Sequence, residues 1–159
     1  MKYLLFSFFV VSIISCTSSV VEPNNTSISE NFVIWSGPNI TFTKASGTNP
    51  TDPKNQDNIT PSVSITRSTA GGQIFNIEQE DAASKEVSPR GTKWAVGNIS
   101  DIPNLSFTTF RKAVGSPKDV VGKNLVMYIE EENVCVSVVF KTWNQNKNGG
   151  FSYERSTEN

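Results

Sequence analysis

Few residues of this chain are equipped for chemistry, and their types restrict what that chemistry can be. Cys16 and Cys135 are the only thiols, and there is no histidine. Without an imidazole there is no Ser-His-Asp triad, no Cys-His pair and no histidine metal ligand. Cys135 stands between Val134 and Val136. A reactive thiol needs a nearby base or cation to lower its pKa. The local sequence offers neither, so Cys135 reads as a packing residue.

Carboxylates cluster at Glu78, Glu80 and Asp81 and again at Glu130, Glu131 and Glu132. A small carbohydrate-active hydrolase would need two of them about 5 to 10 Å apart across a cleft. Sequence spacing does not bring the clusters together, and Glu130–Glu132 reads most simply as a solvated turn. Asp52, Asn55, Asp57 and Asn58 lie in a run rich in Pro and Asn. Oxygen ligands in flexible loops suit calcium, which makes Asp52 and Asp57 the candidate ligands of a structural calcium. They lack the offsets of an EF-hand loop, and turn formation explains the same residues. No other cofactor is expected.

Trp35, Trp94, Trp143 and Tyr153 are the candidates for an aromatic platform, since sugar C–H groups stack on the negative face of a ring. Trp143 ends a strand-like run beside a glycine-containing loop. It is therefore expected to be the most exposed, with Tyr153 as its companion in ligand binding. Arg67 and Arg155 sit in strand-like runs, where Glu78 or Glu154 would be their partners. The paired glycines Gly71-Gly72 and Gly149-Gly150 precede no helix with a phosphate-binding lysine, so they read as hairpin turns.

Composition narrows the function class. The 159 residues hold 14 Lys+Arg and 15 Asp+Glu, a net charge of -1 with pI near 5.5. A nucleic-acid binder normally carries a basic excess, so no nucleic-acid partner is expected. With 36% hydrophobic and 18% charged residues, the chain has the makings of a packed domain rather than a disordered polyanion.

The first residues read as a targeting segment. Lys2 precedes an apolar stretch from Leu4 to Ile14, broken only by Ser7 and Ser12. That is shorter than the roughly 20 residues of a membrane-spanning helix and fits the apolar region of a secretory signal. It ends in Ile13-Ile14-Ser15-Cys16, which resembles the lipobox of bacterial lipoproteins. The resemblance implies cleavage after residue 15 and lipidation of Cys16 by diacylglycerol, with a further acyl chain such as palmitate on the new amino terminus. Two or more chains anchor a protein stably, where one does not. Thr17, in place of Asp, favours the outer membrane. Residues 16–30 are polar and rich in Ser, Asn and Pro, as in a tether. Cleavage would leave Cys135 without a second free thiol, so the fold must rest on a packed core and not on a disulfide.

The remaining residues, 31–159, read as one domain. Period-2 patterns recur at Phe32–Trp35, Ile40–Thr43, Val63–Thr66, Gln73–Ile77, Trp94–Gly97, Leu105–Phe110, Asn124–Ile129, Val134–Trp143 and Phe151–Arg155. Residues 44–61 read as a long loop, and one short helix is expected near Asp81 to Lys85. So many short strands with so little helix predict an all-β fold, a single antiparallel β-sandwich that could be jelly-roll-like.

Several phrases occur in a specific order: Trp35-Ser36-Gly37-Pro38, Asn55-Gln56-Asp57-Asn58-Ile59-Thr60, Gly71-Gly72-Gln73-Ile74-Phe75-Asn76-Ile77, Ser88-Pro89-Arg90-Gly91-Thr92-Lys93-Trp94-Ala95, Phe140-Lys141-Thr142-Trp143 and Gly149-Gly150-Phe151-Ser152-Tyr153-Glu154-Arg155. In this order they resemble an uncharacterised β-rich module of secreted and lipid-anchored proteins of Bacteroidetes-type bacteria. The resemblance spans about residues 32–157 and implies location and domain limits, but no site. The expected protein is a non-catalytic cell-envelope lipoprotein of the outer membrane or cell surface. It would be held to the membrane through Cys16 and act as a binding or structural module for a glycan or envelope-protein partner. The alternative is the small hydrolase with paired carboxylates.

Overall fold

The computed structural model describes residues 31–145 and 147–159. The expected signal peptide, lipidation of Cys16 and tether fall outside the described residues. Nine strands are found among those described: β1 (Val33–Trp35), β2 (Gly37–Lys44), β3 (Asp57–Thr60), β4 (Val63–Arg67), β5 (Ile74–Asn76), β6 (Thr92–Val96), β7 (Asn124–Ile129), β8 (Val134–Trp143) and β9 (Phe151–Thr157). Among the described residues the one α-helix is α1 (Phe110–Val114), and short 3₁₀ turns cover Pro53–Asn55, Ile99–Asn104 and Pro117–Asp119.

The strands form an all-β sandwich of two unequal sheets. The larger runs β2-β9-β8-β7-β6, with β1 parallel to the first half of β8; the smaller runs β3-β4-β5. Every other pairing is antiparallel. Strands β7, β8 and β9 follow one another as a meander, the arrangement that tight-turn hairpins produce. Two sheets of six and three strands, each with neighbours largely in chain order, differ from the interleaved four-and-four layout of a jelly roll.

Central strands are covered on both faces, and their sequence shows it. In β7, Leu125, Met127 and Ile129 enter the core between the sheets, together with Val134, Val136, Val138 and Phe140 of β8. Val126, Tyr128 and Cys135 point the other way, into a second cluster closed by Ile102 and Phe107. A bulge in β8 decides what its far end does. Phe140 pairs with Tyr153 and Trp143 pairs with Phe151, with one extra residue between Phe140 and Thr142. The extra residue resets the alternation, so both Phe140 and Trp143 face the core.

Three local expectations change. The expected loop over residues 44–61 contains β3, whose buried Asp57 and Ile59 alternate with exposed Asn58, an alternation masked by the surrounding Pro and Asn. Leu105–Phe110 is not a strand: it holds only isolated bridges at Phe107 and Thr108, the latter with Trp94. Phe110 and Val114 are one helical turn apart, and both are buried in α1. Alternation along Leu105–Phe110 hid that i, i+4 spacing. The helix expected near Asp81 to Lys85 is absent. There the buried Glu80 carboxylate accepts the amide hydrogens of Asn76 and Arg90 and the Ser88 hydroxyl. These bonds shape residues 77–91 into turns, which a helix would forbid.

The sheets are joined by charge as well as by apolar packing. Arg155 of β9 donates from Nε and Nη2 to both carboxylate oxygens of Asp57 on β3, at 2.7 and 2.9 Å, and the Tyr153 hydroxyl donates at 2.6 Å. The Asp57 and Arg155 side chains are 7% and 6% exposed. Burial, then the Asp57 charge, push the Tyr153 phenol well above its ordinary pKa, so it stays a donor. Burial acts to lower the Arg155 value, but Asp57's hydrogen bonds and charge outweigh it and raise the value.

Removing one partner of a buried pair leaves the other uncompensated. Asp57→Ala is expected to cost about 3 to 5 kcal/mol. Glu154→Ala, which breaks the exposed pair with Lys141 (44% and 40% exposed), should cost at most about 1 kcal/mol. Urea unfolding of the two variants checks the contrast. Similar losses would mean that the Asp57 cluster is not what couples the sheets.

Candidate functional site

The structure relocates most residues that the sequence marked for function. Tyr153 is 1% exposed and Trp143 9%, so neither offers a face to a sugar. Phe110, Phe140 and Phe151 surround Trp143 at 5.6 to 6.2 Å between ring centroids. The Arg67 guanidinium lies 4.0 Å from its ring centroid. The expected calcium ligands are already engaged: Asp57 holds Arg155 and Tyr153, and Asp52 pairs with Lys54 at 3.1 Å. No group of three or more acidic, Cys or His residues placed to hold a metal occurs among the described residues. Asp52 and Asp57 are thus ion-pair residues here. Cys135 is fully buried, and burial pushes its thiol up to about 12, where it is neither nucleophile nor ligand.

Arg67 takes neither of its expected carboxylate partners. Its Nε donates to the Gly72 carbonyl, and its Nη1 to those of Asn144 and Gly150, at 2.8 to 2.9 Å. It therefore fastens the β4–β5 turn to the β8–β9 loop. Gly149 lets the loops approach: φ is +67°, and a Cβ there would collide with the Ser68 carbonyl. Burial lowers the Arg67 pKa to about 10. Burial, then the Arg67 charge, also lower that of Lys44, whose ammonium donates to the Thr48 carbonyl. These cations are enclosed by carbonyls and rings and serve to lock loops.

Trp35 is different. It packs one side against the core and stays half-buried. The other two tryptophans take part in ring-to-ring packing, whereas Trp35 has no ring partner among the described residues. It lines an open cleft of about 390 Å³ with Val33, Ile59, Thr60, Pro61, Glu132, Val134 and Glu158. That volume falls in the usual range for small-molecule sites.

Each wall follows from the local fold. Val33 and Trp35 alternate onto the same face of β1, opposite Val134 and Val136 of β8. Ile59 and Thr60 end β3, and Glu132 lies in the β7–β8 turn. Glu158 directly follows β9, where the neighbouring backbone is held tightly. Asn159 Oδ1 accepts from the Ser36 amide at 3.0 Å and the Ser36 hydroxyl at 2.8 Å. The Thr157 hydroxyl donates to the Pro38 carbonyl at 2.8 Å. Any Cβ at position 37 would strike the Glu158 carbonyl, so only glycine permits this crossing of β1 into β2.

The cleft is apolar at its floor and acidic at its rim. The Ser62 amide and hydroxyl donate to the two oxygens of Glu132 at 3.1 and 2.6 Å. Burial alone would raise the Glu132 pKa. The bonds from the Ser62 hydroxyl, Thr60 and backbone amides outweigh it and hold the carboxyl below its usual value. Among the described residues, no Lys or Arg lines the cleft. Of these residues, the sequence had marked Trp35 only as one aromatic among several and Glu132 only as a turn. Glu158 carried no signal, because its place depends on how β9 passes β1 and β2.

The arrangement can stack a ring on Trp35 beside the fixed Glu132 carboxylate and near Glu158. A glycosidase acid must instead hold its proton near neutrality through a raised pKa, and Glu132 is shifted the other way. Comparisons of the chain with protein-family models, with curated proteins and with solved structures find no match.

The Glu132 bonds carry a pH signature. A carboxyl whose folded pKa lies below the unfolded value of about 4.3 stabilises fully above that pH. Its contribution is lost as pH falls through the folded value. The stability advantage of wild type over Glu132→Gln, measured by urea unfolding in stepwise more acidic buffers, is expected to shrink on acidification. An advantage that stays constant with pH would show that the Ser62 bonds do not discriminate the ionised form.

Proposed function

We propose that this chain is a non-catalytic, lipid-anchored module of the cell envelope, at the outer membrane or cell surface, that binds glycan in the Trp35 cleft. The observation that carries the reading is the half-exposed Trp35 in a cleft of about 390 Å³ edged by Thr60, Glu132 and Glu158. Sugar recognition needs an aromatic face with a few fixed polar groups around it. The lipobox-like Ile13-Ile14-Ser15-Cys16 and the polar run after it support the anchor.

The hydrolase remains the second reading, because Glu132 and Glu158 line one cleft. It requires one of them to act as an acid. The lowered pKa of Glu132 does not favour that role for it.

Trp94 and Trp143 are buried, so a ligand-dependent change in tryptophan emission would report on Trp35. Titration with a panel of oligosaccharides is expected to shift that emission and raise the melting temperature, since a ligand that binds only the folded state stabilises it. Trp35→Ala should retain cooperative melting and lose the response. A folded Trp35→Ala variant that responds like wild type would overturn the cleft assignment, and release of reducing sugar would favour the hydrolase.

The anchor is tested separately. Growth with a clickable palmitate analogue should label the wild-type chain and leave Cys16→Ser unlabelled. An unlabelled wild type removes the lipid anchor and leaves the glycan reading untouched.

A further inference from the structure

We propose that the Trp35 cleft selects glycans carrying free amino groups, in other words amino sugars in their ammonium form; this rests on the glycan reading above. Two acidic residues, Glu132 and Glu158, line the cleft, and no Lys or Arg does so among the described residues. A neutral sugar entering would take water from the half-buried Glu132 carboxylate without supplying charge, which is costly. An ammonium supplies three N–H donors and a compensating charge.

Glu132 is prepared for such a partner. Ser62 uses one lone pair on each of its oxygens and fixes the carboxylate plane. Bonds from Ser62, Thr60 and its own amide take up most of its roughly four acceptor sites, so Glu132 draws the ammonium chiefly through its charge. The same ammonium is attracted to the face of Trp35, because indole presents the strongest aromatic face to cations. The buried Ile59 and Val134, with the exposed Val33 beside them, meet the C–H face of the pyranose. A lysine side chain shares the ammonium. Its narrow stem would leave much of a 390 Å³ cleft unfilled, whereas a sugar ring spans it.

The test uses the full chain in detergent, at a pH where the amine is protonated, with tryptophan emission as the readout. Four probes are compared: a glucosamine tetramer, its fully N-acetylated counterpart, a neutral glucose tetramer and a lysine-containing tetrapeptide. The glucosamine tetramer is expected to bind about tenfold tighter than either uncharged sugar, the effect of one charge-assisted contact. In a folded Glu132→Gln/Glu158→Gln double variant that preference should disappear while weak sugar binding persists. Equal binding of charged and uncharged sugars overturns the amino-sugar selectivity and leaves the glycan reading standing. Binding of the peptide alone overturns both in favour of a protein partner, and no binding by any probe overturns both. A glucosamine preference that survives in the double variant overturns the role of the carboxylates.

Discussion

A carboxylate withdrawn from water must have its charge and its lone pairs answered inside the protein, and Asp57 is answered by residues of the opposite sheet. Arg155 grips both oxygens and Tyr153 adds a third bond. The small sheet contributes β3 and the large sheet β9, so the register of each is set by the other. A one-residue slip of β9 would turn Arg155 outward and leave Asp57 alone in the core, because strand alternation reverses every side chain at once. Apolar packing between the sheets is more forgiving, since Phe140, Phe151 and Ile65 tolerate small displacements that a bidentate ion pair does not.

Other features depend on that registration. With β9 fixed, Phe151 stands opposite Trp143, and the bulge in β8 turns both Phe140 and Trp143 inward. Arg67 then reaches over the Trp143 ring to the carbonyls of the β8–β9 loop. One end of the sandwich is thereby closed by a cation held on backbone oxygens. The other end stays open, because β1 is short and the chain crosses from beside β8 to beside β9 at Ser36 and Gly37.

That opening is the Trp35 cleft. Its floor is core that the small sheet fails to cover, and its acidic rim comes from a hairpin turn and from the residue after β9. The site lies where β1 and the start of β8 in the large sheet meet the end of β3 in the small one. Within the acidic rim, the Ser62 bonds give Glu132 a fixed orientation and a stable negative charge, as recognition of a polar ligand requires.

Sequence by itself determined most of the strands, though not α1 or β3. The limits of β7 and β8 are legible because Asn124–Ile129 and Val134–Trp143 are apolar runs too short for helices and separated by a charged turn. Gly71-Gly72 and Gly149 adopt the positive φ that their position between strands implies. Alternation fixes which residues share a face of a strand. It is silent on which faces meet. Asp57 and Arg155 are 98 positions apart, and nothing near Asp57 distinguishes a buried ion-pair acid from a loop calcium ligand. Likewise no local pattern separates Trp143, enclosed by three phenylalanines and Arg67, from Trp35, left half-open at a sheet end. Those outcomes were decided by tertiary structure, because burial and charge compensation are properties of contacts between distant segments.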